Sequence, residues 1–168
     1  MERLTRHGFL LLVLVFSIGC RQEAKEDLIE LAPVEASVEQ SVAELRDRLK
    51  SEGYEIFDYV DEQTGDTVLM QQYFIAFLKS GPSRSQSQEV ADSLQQQHLA
   101  HLGRMYEEGY ADISGPFGDD GDIRGITIYN TPTLRMADSL ANLDPMVKAG
   151  RLVIEVHPWW AAKGFPLR

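Results

Sequence analysis

The sequence contains a single cysteine, Cys20, among its 168 residues. One thiol cannot form an intramolecular disulfide, so no covalent crosslink holds this fold together.

Basic residues are also scarce, with 16 lysines and arginines against 26 aspartates and glutamates and a net charge of −10. A general nucleic-acid binder needs a basic surface that neutralises phosphates. We therefore predict no nucleic-acid partner, although this composition still allows a local basic pocket.

Motifs that bind nucleotides or build nucleophilic sites are also missing. The sequence has no Gly-x-Ser-x-Gly elbow, no P-loop and no Gly-x-Gly-x-x-Gly turn. These absences argue against the serine-hydrolase, P-loop and dinucleotide-binding classes. Nothing in the sequence calls for a redox group, and we predict no cofactor.

Metal ligands at a familiar spacing are few. His98 and His101 are three residues apart, one helical turn, but a zinc site needs a third ligand, and none has a clear signature. The acidic loop Gly118–Asp122 lacks the register and the final glutamate of an EF-hand. We interpret this loop as a solvent-exposed hairpin tip and predict no metal site.

One long apolar run is present, and it lies near the N-terminus. Residues 9–16 are all apolar; Arg3 and Arg6 precede them, and Ser17-Ile18-Gly19 follows. This order is typical of a secretory signal. Eight helical residues span about 12 Å, well short of the roughly 30 Å of a bilayer core. We predict a signal peptide over residues 1–19, with a short uncleaved anchor as the alternative.

The segment Ser17-Ile18-Gly19-Cys20 resembles the lipobox of bacterial lipoproteins, in which the cysteine is acylated and becomes the new N-terminus. Two or more acyl chains suffice for stable membrane anchoring. Arg21 follows the cysteine, and the absence of aspartate there resembles the sorting signal for the outer membrane. The expected location is the bacterial cell envelope, lipid-anchored and facing the periplasm from the outer membrane.

Composition and pattern divide the chain into four predicted regions. They are a signal peptide (1–19), a polar acidic tether (20–34), a helix-and-hairpin extension (35–69) and a main domain (70–168). In the extension, apolar residues at helical spacing predict a helix from Val38 to Ser51 that Gly53 ends. Two segments rich in aromatic and β-branched residues, 54–60 and 67–78, flank a turn and predict a hairpin.

The predicted elements of the main domain follow the order β-α-β-β-α-β. They are a strand at 70–78, a helix at 88–109, strands at 110–117 and 125–129, a helix at 133–143 and a strand at 151–156 that Pro158 ends. This order predicts an α+β fold, the ferredoxin-like βαββαβ sandwich, with both helices on one face of an antiparallel sheet. A second copy of the chain is the simplest cover for the other face. Tyr73, Phe74 and Phe77 are expected to fill the core of the sheet.

Two histidines lie on the predicted helix 88–109. On a wheel of 100° per residue that starts at Val90, His98 lies at about 80°, within the apolar arc that also holds Leu94 and Met105. A buried imidazole there needs an acceptor, and a carboxylate or a backbone carbonyl would each serve. His101 lies at about 20°, at the edge of the arc, where it is expected to form a pocket wall or a boundary.

Three segments together resemble the YciI-like (YCII-related domain) family. They are His98–Leu102 (HLAHL), Gly115-Pro116-Phe117 and Asp144–Gly150 (DPMVKAG), and residues 155–159 (EVHPW) fit as well. The likeness covers roughly residues 72–160, whereas the lipobox and the extension fall outside it. The resemblance implies a homodimeric ferredoxin-like α+β barrel with a histidine–aspartate pair in a pocket between helix and sheet.

Carried over to this chain, the implied pair is His98 and Asp144. Gly115, Pro116 and Phe117 would line the neighbouring strand end and contact a substrate together with His101, which stands where relatives often have a basic residue. Such a pair suits general acid–base catalysis. Similar folds host lactone isomerisation and dehydrohalogenation of muconate-like acids, which need proton transfer and no nucleophile.

Several alternatives stay open at this point. The same pocket would equally suit a non-catalytic module that binds a small ligand, or a structural dimer of the cell envelope. Asp144 precedes Pro145, so it is also a natural turn residue that ends a helix. An anionic substrate would need basic help from Arg84, Arg104 or Arg135. The pair Trp159-Trp160 is expected to pack at a strand end or at a dimer contact.

Overall fold

A computed structural model describes residues 41–165 and residue 167. The predicted signal peptide, the acylation site Cys20 and the tether all lie outside the described residues. Within the described part of the chain, no helix is long and apolar enough to cross a membrane.

The described chain contains four helices and five strands in the predicted order. They are α1 (Val42–Ser51), β1 (Ile56–Val60), β2 (Thr67–Ser80), α2 (Gln88–Glu107), β3 (Ala111–Pro116), β4 (Ile123–Tyr129), α3 (Leu134–Ala141), α4 (Pro145–Lys148) and β5 (Leu152–Ala162). The order from β2 onward is β-α-β-β-α-β, with the short α4 added before the last strand. The α+β fold class is confirmed.

Strand β2 is the centre of an antiparallel sheet. One of its edges pairs with β5 along Met70–Ser80. Its other edge pairs first with β1, at Thr67–Gln71, and then with β4, at Phe74–Lys79. Strand β3 pairs with β4. The domain therefore has the strand order β5-β2-β4-β3 expected of a ferredoxin-like sheet, and β2 runs unbroken through the predicted boundary between residues 69 and 70.

The hydrophobic core lies between the sheet and its helices. Alternate residues of β2 point toward them, and Phe74 and Ala76 form one buried cluster with Met105 of α2 and Ala137 of α3. A second buried cluster joins Leu78 to Met146 and Leu152. The intervening residues of β2 point to the opposite face, because side chains alternate along a strand.

The three aromatic residues expected in the core are divided between these two faces. Phe74 and Tyr73 are both buried, as predicted, but on opposite faces of β2. Phe77 is only half-buried and packs edge-on against His157.

Helix α1 begins at Val42, so the predicted start at Val38 is wrong. Ser41 has an extended backbone and caps the helix, with its Oγ accepting from the Glu44 amide at 3.3 Å. The Glu44 carboxylate accepts from the Ser41 amide at 3.0 Å, which completes a capping box. Gly53 follows the helix with φ +85°, a left-handed conformation that a glycine adopts at little cost.

The last strand does not end at Pro158, which corrects another prediction. Strand β5 continues through Pro158, opposite Phe74, as far as Ala162. Among the described strands β5 has β2 as its single neighbour. An edge strand tolerates proline because every second N–H points away from the sheet.

Candidate active site

Asp144 is the N-cap of the short helix α4. Its Oδ1 accepts a hydrogen bond from the Met146 amide at 2.8 Å, and Pro145 occupies the first helical position, where a missing N–H costs nothing. The second carboxylate oxygen, Oδ2, lies 2.6 Å from Nδ1 of His98. Asp144 is therefore both a turn residue and the partner of His98, with one oxygen for each role.

His98 projects from the middle of α2 toward the sheet. Only 8% of His98 and 2% of Asp144 is exposed to solvent, so this hydrogen bond lies in a largely dry environment. An ionised carboxylate can only accept, which requires Nδ1 of His98 to carry the proton. In the neutral form of the ring the lone pair is on Nε2, and that nitrogen has no hydrogen-bond partner among the described residues.

A cavity of about 380 Å³ adjoins His98. This volume is in the range of small-molecule sites. Its apolar wall consists of Leu78, Leu99, Leu102, Ile126, Met146 and Leu152. Its polar lining residues are Arg84, Gln95, His98, Ser114, Arg124 and Arg151, and the backbone of β3 and β4 closes one side at Gly115, Pro116 and Gly125.

Strands β3 and β4 approach closely where they form this side of the cavity. A Cβ atom on Gly125 would lie 2.6 Å from the carbonyl oxygen of Gly115, nearer than packed atoms can come. The absence of a side chain at Gly125 therefore allows β3 and β4 to approach closely on this side of the cavity.

Comparison with known proteins identifies the family of the chain. The YCII-related domain family matches residues 74–160, a little over half of the chain. The chain belongs to this family. Among solved structures, it is similar to the 5-chloro-2-hydroxyhydroquinone dehydrochlorinase TftG from Burkholderia phenoliruptrix AC1100, in complex with 2,5-dihydroxybenzoquinone. That match has 25% sequence identity and a TM-score of 0.39, and it covers 52% of this chain and 92% of TftG. No curated protein matches the chain.

The YCII-related domain contains all the residues predicted for the catalytic pocket, but the structure does not bring them all together. Gly115 and Pro116 line the cavity beside His98. Phe117 does not line it; this residue follows the end of β3 and is 44% exposed. The structure therefore does not place Phe117 in the cavity wall, although its amide donates to the Arg124 carbonyl oxygen at 3.0 Å.

His101 also lies outside the cavity, which corrects its prediction as a substrate contact. The residues of α2 that line the cavity with His98 are Gln95, Leu99 and Leu102, at about 80° to 180° on the wheel. His101, at about 20°, lies outside this arc and borders a separate surface pocket with Arg104 and Lys148. The side of α2 that borders the cavity was not evident from the hydrophobic pattern. Val90, in the first turn, is 46% exposed because packing beneath α2 begins at Leu94.

His101 is buried, and its hydrogen-bond partner is a residue of the same helix. Its Nδ1 accepts a hydrogen bond from the Arg104 guanidinium at 3.0 Å, and its Nε2 is buried with no partner. Burial lowers the pKa of His101, against the opposing influence of the nearby Asp144 carboxylate.

Of the three arginines considered for an anionic ligand, Arg84 alone lines the cavity. Arg104 contacts His101, and Arg135 is exposed on α3. Sequence reasoning missed Arg124 and Arg151, which also line the cavity. Arg84 and Arg151 are 67 positions apart, and no local pattern could have placed them together.

The described residues provide no obvious metal site. Within 41–165 and 167, no three side chains of metal-ligating type come together. The tip Gly118–Asp122 is exposed, as predicted, with the Asp119 carboxylate accepting from the Gly121 amide at 3.4 Å.

Proposed function

We propose that this YCII-related domain transfers protons on a small organic acid, with His98 as the catalytic general acid and base. The observation that carries the proposal is the 2.6 Å contact between His98 Nδ1 and Asp144 Oδ2 at the wall of a cavity. Asp144 acts as a positioning residue: it fixes the tautomer that leaves Nε2 free to take a proton and return it.

The surroundings favour general acid–base chemistry over nucleophilic catalysis. Ser114 is the hydroxyl residue of the cavity wall, and its Oγ lies 3.0 Å from Oγ1 of Thr127. It has no hydrogen bond to His98, so it lacks the adjacent base that would activate a serine nucleophile. Apolar side chains on the cavity wall would keep bulk water from the exchanged proton.

Hydrogen–deuterium exchange tests this function even where the product of the reaction is unidentified. The full-length protein is incubated in D2O with a panel of small carboxylic acids that bear a C–H bond next to a carbonyl group. We expect enzyme-dependent loss of one C–H signal in the NMR spectrum, and a decrease of roughly 10²- to 10⁴-fold in the His98→Gln variant. Exchange that is unchanged in His98→Gln would refute the assignment, and an acid that binds without exchange would favour a binding module.

We also propose that the domain forms a homodimer through the sheet face opposite α2, α3 and α4. Tyr73, Ile75 and Phe77 of β2 point to this face, and on the edge strand β5 it includes Val153 and Trp159, which are 46% and 40% exposed. The exposed polar residues Glu155 and His157 lie between these two on the same face. Burial against a matching copy would stabilise the apolar part of this face.

Light scattering after size-exclusion chromatography tests the dimer. We expect the full-length protein to elute as a dimer and Val153→Glu to shift it to a monomer. Leu134→Glu is the matched control, because Leu134 is equally exposed, at 46%, but lies on α3 in the helix layer. A monomeric wild-type protein, or equal effects of both substitutions, would contradict the proposed interface.

We propose in addition that Cys20 is acylated and anchors the protein in the outer membrane. Support comes from the sequence alone: an apolar run at residues 9–16, then Ser17-Ile18-Gly19-Cys20, then Arg21. Metabolic labelling with an alkyne fatty acid in a Gram-negative host should label the wild-type protein and not Cys20→Ser. Equal labelling of both, or of neither, would refute the anchor. In membrane fractionation, the Arg21→Asp variant should be found in the inner membrane.

A further inference from the structure

The side chains that line the cavity next to His98 carry positive charge, whereas the protein as a whole is negatively charged. The chain has a net charge of −10, yet Arg84, Arg124 and Arg151 line this cavity, and neither aspartate nor glutamate is among its lining residues. None of the three arginines forms an ion pair with a described carboxylate. Their positive charge is therefore not neutralised within the described part of the chain.

Hydrogen bonds between two loops hold Arg84 and Arg151 close together. The Arg84 guanidinium donates to the backbone oxygen of Arg151 at 3.2 Å, and the Arg151 Nη1 donates to Gln86 Oε1 at 2.8 Å. The Nε of Arg151 is buried and has no acceptor. A buried donor without an acceptor is costly, so the described residues leave the Arg151 guanidinium incompletely satisfied.

The loops can meet because both contain a glycine at the contact. A Cβ on Gly81 would lie 2.2 Å from the carbonyl oxygen of Gly150, and Gly150 itself has φ +70°. The Ser83 amide donates to the same carbonyl oxygen at 3.0 Å. This contact fixes the backbone beside Arg84 and Arg151 before a ligand arrives.

The third arginine approaches from the sheet. The Arg124 guanidinium donates to the Gly121 oxygen at 3.0 Å, which ties it to the β3–β4 hairpin next to the cavity side formed by Gly115 and Gly125. Cationic residues thus come from three separate segments of the chain, the β2–α2 loop, strand β4 and the α4–β5 connection.

We infer that Arg84 and Arg151, assisted by Arg124, bind the carboxylate of the substrate and that the apolar wall holds its body. Guanidinium groups bind carboxylates in a planar, two-bonded geometry. The substrate class is a small carboxylic acid with an apolar carbon skeleton, placed so that one carbon faces Nε2 of His98. This inference rests on the proposed function for the site, to which it adds the residues that determine specificity.

Binding of benzoate and of benzamide, its neutral counterpart of nearly the same shape, tests the inference by calorimetry on the full-length protein. We expect benzoate to bind at least about tenfold more tightly than benzamide, because charge-assisted hydrogen bonds are the stronger ones. Arg84→Gln and Arg151→Gln should each weaken benzoate binding by about tenfold or more and weaken benzamide binding clearly less, because the neutral amide oxygen accepts without charge assistance. Arg135→Gln is the matched control, because Arg135 is exposed on α3 outside the cavity, and its affinity for benzoate should match the wild type.

Equal binding of benzoate and benzamide would overturn the inference, as would a loss in Arg135→Gln as large as that in Arg84→Gln. Inorganic phosphate that binds more tightly than benzoate would also overturn the assignment to a carboxylic acid. Because Arg151 contacts Gln86, a variant that fails to fold is replaced by Arg151→Lys, which keeps the charge and should lose part of the affinity.

This experiment separates the inference from the proposed function. Benzoate binding should persist in His98→Gln, since the anion contacts lie at the arginine end. If benzoate binding depends on the arginines but no acid of the panel exchanges a proton, catalysis is refuted. The carboxylate-binding role of Arg84 and Arg151 then still holds. Exchange that depends on His98 but not on Arg84 or Arg151 would refute the anion site alone.

Discussion

Asp144 binds His98 and the first turn of α4 with separate oxygens of one carboxylate. Oδ2 lies 2.6 Å from His98 Nδ1, and Oδ1 accepts from the Met146 amide at 2.8 Å. One buried side chain therefore couples the orientation of the imidazole to the cap of a helix whose residue Met146 also lines the cavity. Substitutions at Asp144 should separate these two roles.

Asp144→Asn should keep much of the helix cap and lose the fixed tautomer. Asparagine caps helices about as well as aspartate, whereas alanine does not. We expect Asp144→Ala to lower the free energy of unfolding by about 1–3 kcal/mol, and Asp144→Asn by clearly less. Both should lower proton-exchange activity at least tenfold. Urea denaturation and the exchange assay measure the two effects, and full activity in Asp144→Asn would contradict the positioning role.

Gly81→Ala should destabilise the protein, because its Cβ would overlap the Gly150 carbonyl at 2.2 Å. We expect a loss of about 2–3 kcal/mol in the free energy of unfolding, typical of overpacking. Gly103→Ala is the control of opposite sign: Gly103 is exposed within α2 with nothing within 4 Å of its Cβ position. Alanine there should add about 0.5–1 kcal/mol. A Gly81→Ala variant as stable as the wild type would exclude the tight loop contact.

His101 should make the stability of the fold fall in acid. Burial lowers its pKa in the native state below the ordinary value of 6.5, so the unfolded chain binds the proton first as the pH falls. Stability then rises with pH across the interval just below pH 6.5, where the unfolded state holds more protons than the native state. His101→Gln should flatten the dependence of the unfolding free energy on pH in that interval. An equally steep dependence in the variant would assign the effect to other groups.

Phe117 and Leu102 should differ in their effect on the site. Leu102 lines the cavity, whereas Phe117 is 44% exposed beyond the end of β3. Leu102→Ala should weaken benzoate binding severalfold through lost apolar contact, and Phe117→Ala should leave it within about twofold of the wild type. A larger loss in Phe117→Ala would restore this residue to the site.

The fold was largely predictable because its signals are local. Alternating and helical spacings gave the element order, and glycines at 53 and 109 marked helix ends where φ is positive. The errors have equally local causes. The capping box at Ser41 sets the start of α1, and the edge position of β5 lets Pro158 remain in the strand.

The candidate site was predictable only in part. His98 and Asp144 came from family resemblance, since a wheel identifies a buried histidine but not its partner 46 positions away. The helical pattern could not tell which flank of α2 borders the cavity, and so His101 was misplaced. The contact between the Gly81 and Gly150 loops is tertiary, which is why Arg151 escaped notice.

Nitrogen NMR of the His98 imidazole in the full-length protein tests the central claim most directly. The claim is that Asp144 holds the Nδ1 proton and leaves the Nε2 lone pair to the cavity. At neutral pH we expect the wild type to give a protonated Nδ1 and an unprotonated Nε2, with the Nε2 signal shifting when benzoate is added. Asp144→Asn should give a mixture of both tautomers. A wild-type ring protonated on Nε2, or a spectrum that Asp144→Asn leaves unchanged, would contradict the account.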